Sequence, residues 1–176
     1  MCMFLDIRLL EQKPVRFNEI IAPGAIRFET DIAQLGNLQA DGNAEYHQAA
    51  EEIRVRGQFS VPLQFVCDRC VEPFRTEISD NFDLIYEPEP EAVAGQEIAI
   101  KHSESDIGYY KWPGLELNDI LEEQVLLAVP MQRLCRADCK GICPVCGRNR
   151  NEQDCNCQSS PADERWAALK NFQKVE

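Results

Sequence analysis

From Glu45 onward the chain alternates apolar and polar positions. In IRVRGQFSVPLQFVC, Ile53, Val55 and Phe59 alternate with polar neighbours, the pattern breaks at Gly57, and it continues through Val61, Leu63 and Phe65. That pattern predicts two antiparallel strands. CDRC, from Cys67 to Cys70, follows as a turn, and FRTEISDNFDLIYEP then resumes a period of two at Phe74, Thr76 and Ile78 and again at Phe82, Leu84 and Tyr86. EPEPEAVAGQE reads as an acidic loop. The first forty residues carry only short alternations, LDIRLL and AIRFETDI, punctuated by Pro14, Pro23, Gly24 and Gly36, and define no clear element.

Two segments have helical spacing instead. In DILEEQVLLAVP, Ile120, Leu121, Val125 and either Leu127 or Ala128 recur on one face. Asp119 with Glu122 resembles a capping box at the start, and Pro130 supplies the stop. In SSPADERWAALKNF, Ser160 is the expected N-cap, Pro161 takes the first helical position, and Trp166, Leu169 and Phe172 form a stripe expected to dock on the protein's own core. The pattern predicts an α+β protein in three parts. Residues 1–130 form a mainly antiparallel, β-rich acidic body ending in a helix, residues 131–158 a cysteine-rich zinc-binding module, and residues 159–176 a C-terminal helix packed on the body.

Composition narrows the function. A chain of 176 residues suits one domain with a small appendage, and its formal charge of -12 argues against an embrace of nucleic acid by the whole molecule. The charge is uneven. Between Met131 and Cys157, Arg133, Arg136, Lys140, Arg148 and Arg150 outnumber Asp138, Glu152 and Asp154, for a net +2 that leaves -14 elsewhere. The basic residues are candidate nucleic-acid contacts, and the acidic body could attract a basic protein. The apolar start, MCMFLDIRLLEQK, is interrupted by Asp6 and Arg8 and lacks a basic leader, so no signal peptide is expected, and no stretch reads as a membrane span. The expected compartment is the cytosol, where clustered thiols are reduced and available to metal.

Eight of the nine cysteines form four close pairs: Cys67 with Cys70, Cys135 with Cys139, Cys143 with Cys146, and Cys155 with Cys157. A tight turn can aim two thiolates at one ion, and two turns complete a tetrahedron, so four pairs imply two zinc ions. The glycine of CPVCG lets the backbone curl beneath the metal. Loop-closure entropy favours joining Cys143 and Cys146 to Cys155 and Cys157, which leaves Cys67 and Cys70 for Cys135 and Cys139. A ribbon built from CDRC and CPVC is the competing arrangement. Cys2 is a lone thiol.

Catalysis finds little support. A thioredoxin-type CxxC needs a helix N-terminus to activate its first thiolate, whereas CDRC is followed by Pro73 and β-like alternation. Catalytic zinc keeps an open position and often uses histidine, but His47 and His102 lie apart from the cysteine pairs and are expected at surface positions. No nucleophile elbow or glycine-rich phosphate loop occurs. The expectation is therefore a protein that is not an enzyme and has no evident small-molecule substrate.

VCDRCVEPF, then ILEEQVLLAVP leading into LCRADCKGICPVCGRNRNEQDCNC, and finally PADERWAALKNF together resemble the YceD family of large ribosomal RNA subunit accumulation proteins, from about Val55 onward. The resemblance implies a bacterial cytoplasmic or plastid stromal protein that supports accumulation of large-subunit ribosomal RNA, with no assigned catalytic activity. It matches Cys67 and Cys70 to the family's most recurrent pair and the other six cysteines to its cysteine-rich branch, whose second zinc would be an accessory fold element. Arg150 departs from the pattern, standing where an apolar residue is expected between Asn149 and Asn151. The expected partners are ribosomal RNA or a basic ribosomal protein. Two rival readings are a thiol-based redox sensor or redox-regulated chaperone, and a zinc-ribbon regulator that binds DNA.

Overall fold

The computed structural model describes residues 3–28, 32–90 and 107–157. Most of the expected acidic loop, the C-terminal helix with Trp166, Leu169 and Phe172, and the residues Cys2 and His102 lie outside those ranges. The chain divides into two compact units, Met1–Val66 with Pro73–Met131 and Cys67–Glu72 with Gln132–Glu176. The CDRCVE turn thus belongs with the cysteine-rich stretch rather than with the strands on either side of it.

The first unit is built on a six-stranded sheet. Its strands are β2 (Val15–Ile21), β3 (Ala33–Gln34), β4 (Leu38–His47), β5 (Glu52–Val66), β6 (Pro73–Pro88) and β7 (Ile107–Tyr110), in the order β2-β4-β5-β6-β7, with β3 pairing β5. All these pairings are antiparallel except the last, in which β7 lies parallel to the end of β6. A two-stranded ribbon joins β1 (Phe4–Asp6) to β8 (Gly114–Glu116). Two helices complete the unit, the single turn α1 (Ile7–Leu10) and the longer α2 (Leu117–Ala128). LDIRLL is therefore two residues of strand followed by four of helix, with the Asp6 side chain accepting from the backbone N–H of Arg8 at 2.9 Å to cap α1.

The expected pair of strands around Gly57 is instead one strand of 15 residues. Its buried positions, Ile53, Val55, Phe59, Val61, Leu63 and Phe65, all have odd numbers, so the inward face keeps its parity through the glycine. Gly57 is there for space. It pairs with Gly42 on one side and Phe82 on the other, and Phe17 pairs with Gly42 in turn. A Cβ at Gly57 would meet the Asp41 carbonyl oxygen at 2.6 Å and the ring tip of Phe82 at 2.9 Å. Two aromatic rings thus fill the volume that two absent side chains leave at the centre of the sheet.

Helix α2 buries Leu117, Ile120, Leu121 and Val125 in the same core as β5, while Leu127 points outward and Ala128 is partly buried. It begins earlier than the Asp119–Glu122 pattern predicts. Glu116 is the N-cap without a side-chain cap bond, Asp119 lies within the first turn, and the Leu117 N–H donates to the Met3 carbonyl at 3.0 Å. A backbone oxygen from the chain's start does the capping that the sequence assigned to a side chain. The helix stops before Val129 and Pro130, as expected. Among the described residues no helix is long and apolar enough to cross a membrane.

Candidate metal centres

Two turns in the second unit are built alike. In the first, the Cys67 N–H donates to the Glu72 carbonyl and the Val71 N–H to the Cys67 carbonyl, both at 2.9 Å. In the second, the Cys143 N–H donates to the Arg148 carbonyl and the Gly147 N–H to the Cys143 carbonyl, both at 2.8 Å. The residue after the second cysteine has positive φ in each: 62° at Val71 and 72° at Gly147. Glycine takes that conformation freely, and valine does not. The spacing Cys-x-x-Cys with this hydrogen-bond pattern turns both thiols of a pair to the same side.

Each turn meets a second pair. Cys67, Cys70, Cys135 and Cys139 form one group and Cys143, Cys146, Cys155 and Cys157 another, with all sulfurs of a group within 4.8 Å of one another. In the first group Cys67 and Cys139 are 3.9 Å apart at sulfur, and Cys70 and Cys135 are 3.7 Å apart. A tetrahedron of thiolates about 2.3 Å from a central ion has edges of about 3.8 Å, whereas a disulfide would bring sulfurs to about 2.05 Å. The donor set and spacing fit a four-coordinate thiolate site in each group. The grouping is the one that loop closure favours, and CDRC does not pair with CPVC.

The thiols differ in acidity in a way that prepares them for a cation. Burial pushes Cys67 up, but backbone N–H groups of Cys135, Cys70 and Arg69 outweigh it and bring the thiol down to about 6. The N–H groups of Cys146 and Val145 bring Cys143 to about 6 in the same way. Burial and neighbouring thiols push Cys135 up to about 12, and the sulfurs of Cys146 and Cys155, with burial, do the same for Cys157. A bound cation would favour the ionised form of the thiols that burial and neighbouring sulfurs push up.

The groups also differ in cover. Cys67, Cys70 and Cys139 are buried, while Cys146 and Cys157 are exposed. Polar residues to which the sequence reading gave no role at the metal sites contact the loops and ligands of the first group. Asp68 and Arg133 clamp each other, the Asp68 N–H donating to the Arg133 carbonyl at 2.9 Å and the Arg133 N–H to the Asp68 carboxylate at 2.6 Å. Arg69 donates to the Cys139 carbonyl at 3.2 Å, and its own carbonyl accepts from the Ile142 N–H at 3.0 Å. Asn151 donates from Nδ2 to the Cys139 sulfur at 3.3 Å. The signal available for Asn149 and Asn151 was the N-x-N motif in GRNRN, because asparagine folds loops around its own side-chain bonds. Arg150 between them, where an apolar residue was expected, is exposed, and its N–H donates to the Gly141 carbonyl at 2.9 Å.

The five basic candidates separate by what they touch. Arg133 faces Asp68, Arg136 lies 3.4 Å from Asp138 and donates to Asn151, and Lys140 lies 3.5 Å from Asp154. Arg148 and Arg150 are exposed and have no ion pair among the described residues. His47 is exposed at the end of β4 and is a member of neither group, and β6 rather than a helix follows Cys70.

A β-sheet unit joined to a unit of paired four-cysteine groups defines a protein whose thiol sets could each hold a metal ion. The chain belongs to the YceD family: residues 55–173 match the family described as large ribosomal RNA subunit accumulation protein YceD. Uncharacterized proteins of Mycobacterium tuberculosis and Mycobacterium bovis are each 25% identical to it over 178 residues, covering 95% of this chain and 79% of their own length. The large ribosomal RNA subunit accumulation protein YCED homolog 1, chloroplastic, of Arabidopsis thaliana is 23% identical over 145 residues, 70% of this chain and 45% of that protein. No solved structure matches the chain.

Proposed function

We propose that this chain is a non-enzymatic factor that supports large-subunit ribosomal RNA accumulation, with two structural zinc ions shaping the surface that meets RNA. Family membership carries the ribosomal part of this reading. The metal part rests on the two all-cysteine groups, since closed tetrahedral thiolate sites are those of structural zinc and leave no open position for a substrate. The compartment that suits such a factor is the one that holds the ribosomes, bacterial cytoplasm or plastid stroma.

Zinc changes the electrostatic argument. The described part of the second unit, residues 67–72 and 132–157, carries six basic and five acidic side chains, a net +1 with neutral thiols. Eight thiolates with two divalent ions add -4 to that count, so the loaded unit is acidic. The five-residue basic knuckle therefore contracts to Arg148 and Arg150, the two that are exposed and unpaired among the described residues. Arg133, Arg136 and Lys140 serve instead to balance the centres and fix their loops. RNA contact is local, and the acidic first unit is left to a basic ribosomal protein.

The test is ultraviolet crosslinking in cells followed by sequencing, comparing the wild type with Arg148→Glu/Arg150→Glu. Recovery of large-subunit ribosomal RNA by the wild type and its loss in the variant, at equal protein level and metal content, is the expected result. Recovery of neither ribosomal RNA nor ribosomal proteins by the wild type would remove the reading.

A further inference from the structure

Asn151 lies in the chain segment of the second centre and bonds to a ligand of the first. It follows the turn that carries Cys143 and Cys146 and precedes Cys155 and Cys157, so its loop is closed at both ends by ligands of the second centre. Its side chain, however, serves the first. Nδ2 donates to the Cys139 sulfur at 3.3 Å, and Oδ1 accepts from the Lys140 N–H and from the Arg136 guanidinium, each at 2.8 Å. Asn149 holds it in place, its Oδ1 accepting from the Asn151 backbone N–H at 3.0 Å and from Nδ2 at 2.9 Å.

The backbone beside it makes the same connection. Ile142 pairs with Asn149 as an isolated bridge, the Arg150 N–H donates to the Gly141 carbonyl, and the Ile142 N–H donates to the Arg69 carbonyl inside the first cysteine turn. A Cβ at Gly141, whose φ is 69°, would lie 2.9 Å from that same Arg69 oxygen, so glycine is what allows the approach. The loop that the second centre closes is thus the loop that completes the hydrogen bonding of the first.

We propose that the two centres load metal cooperatively and that Asn151 is the positioning residue that couples them. This rests on reading both cysteine groups as metal centres. A metal in the second centre fixes the loop at both ends, which presents the Asn151 amide to Cys139. An N–H aimed at a metal-bound thiolate stabilises its charge, and losing such an outer-shell donor costs about 10- to 100-fold in metal affinity. Linkage makes the effect reciprocal: metal at the first centre raises affinity at the second by the same factor.

The experiment uses the full chain, stripped of metal under reducing conditions, with zinc titrated against a competing chelator. Cobalt(II), whose thiolate absorption reports tetrahedral coordination, serves as a second probe. The Cys155→Ser/Cys157→Ser variant disables the second centre, and Asn151→Asp keeps the acceptor oxygen while removing the donor to Cys139. Each change alone should weaken the first centre by about tenfold, and the two together should weaken it no further. A first centre of wild-type affinity in either variant, or losses that simply multiply, would overturn the coupling. If the double serine variant does not fold, the shape of the titration decides. The wild type should fill both centres in one step and Asn151→Asp in two, and a wild type that fills them independently overturns the proposal. A wild type that takes up no metal would instead refute the metal reading beneath it, and separates the two failures.

Discussion

Val71 and Gly147 hold the same place in two turns of one design, and only one of them is glycine. A β-branched residue at φ 62° is strained by about 1–3 kcal/mol, and Val71 is 60% exposed, so packing recovers little of it. Val71→Gly should stabilise the metal-loaded protein by about 1 kcal/mol after the greater freedom of glycine in the unfolded chain is subtracted, whereas Gly147→Val should destabilise it. Denaturant unfolding with saturating zinc checks both, and a destabilised Val71→Gly would show that the side chain supports the turn. The cysteine pairs were legible at this scale because a tight turn that brings two sulfurs together imposes their spacing. Asp68, Arg69 and Asn151 were not, because a polar residue in a loop has the same appearance in sequence whether it faces water or a sulfur. The charge of Arg133 is likewise visible in sequence, while its clamp to Asp68 depends on a partner 65 residues away.

At the scale of elements, β5 shows what alternation carries and where it misleads. The odd-numbered inward set was readable from Ile53 to Phe65, but a glycine in its middle looked like a break. The information that makes it a close approach lies on other strands, in Phe17, Gly42 and Phe82. Gly57→Val should therefore destabilise the first unit by about 1–3 kcal/mol or more, since the new side chain meets backbone and ring atoms that cannot both retreat. Thermal unfolding of the variant measures this, and a neutral outcome would mean the sheet opens more easily than its pairing implies. The start of α2 was missed for a related reason. Asp119 and Glu122 mimic a capping box, but the helix begins where the chain leaves β8, with its first N–H satisfied by Met3, a tertiary partner that no local window contains. Fold class and the turn carrying CDRC were legible; the parallel seat of β7 on β6 depends on a long-range pairing and was not.

For the whole molecule, charge and metal are one problem. If only Arg148 and Arg150 reach phosphate, log affinity for single-stranded RNA should fall with log salt at a slope of about -1.4, against about -3.5 for all five basic candidates. Filter binding across a salt series distinguishes the two, and the steeper slope would restore the wider basic surface. Metal uptake should be pH-dependent in a fixed sense. Cys67 and Cys143, at about 6, are ionised at neutral pH, but Cys135 and Cys157, at about 12, lose their protons only to the metal. Binding should therefore release protons and weaken as pH falls toward 6 and below, which calorimetry in buffers of different ionisation enthalpy reads directly. Native mass spectrometry of the full chain, purified without added metal under reducing conditions, bears on all of this most directly. The account predicts a mass equal to the chain plus two zinc ions, with eight thiols resistant to alkylation until the protein is denatured. A folded chain without metal, its thiols reacting freely or joined as disulfides, would contradict it.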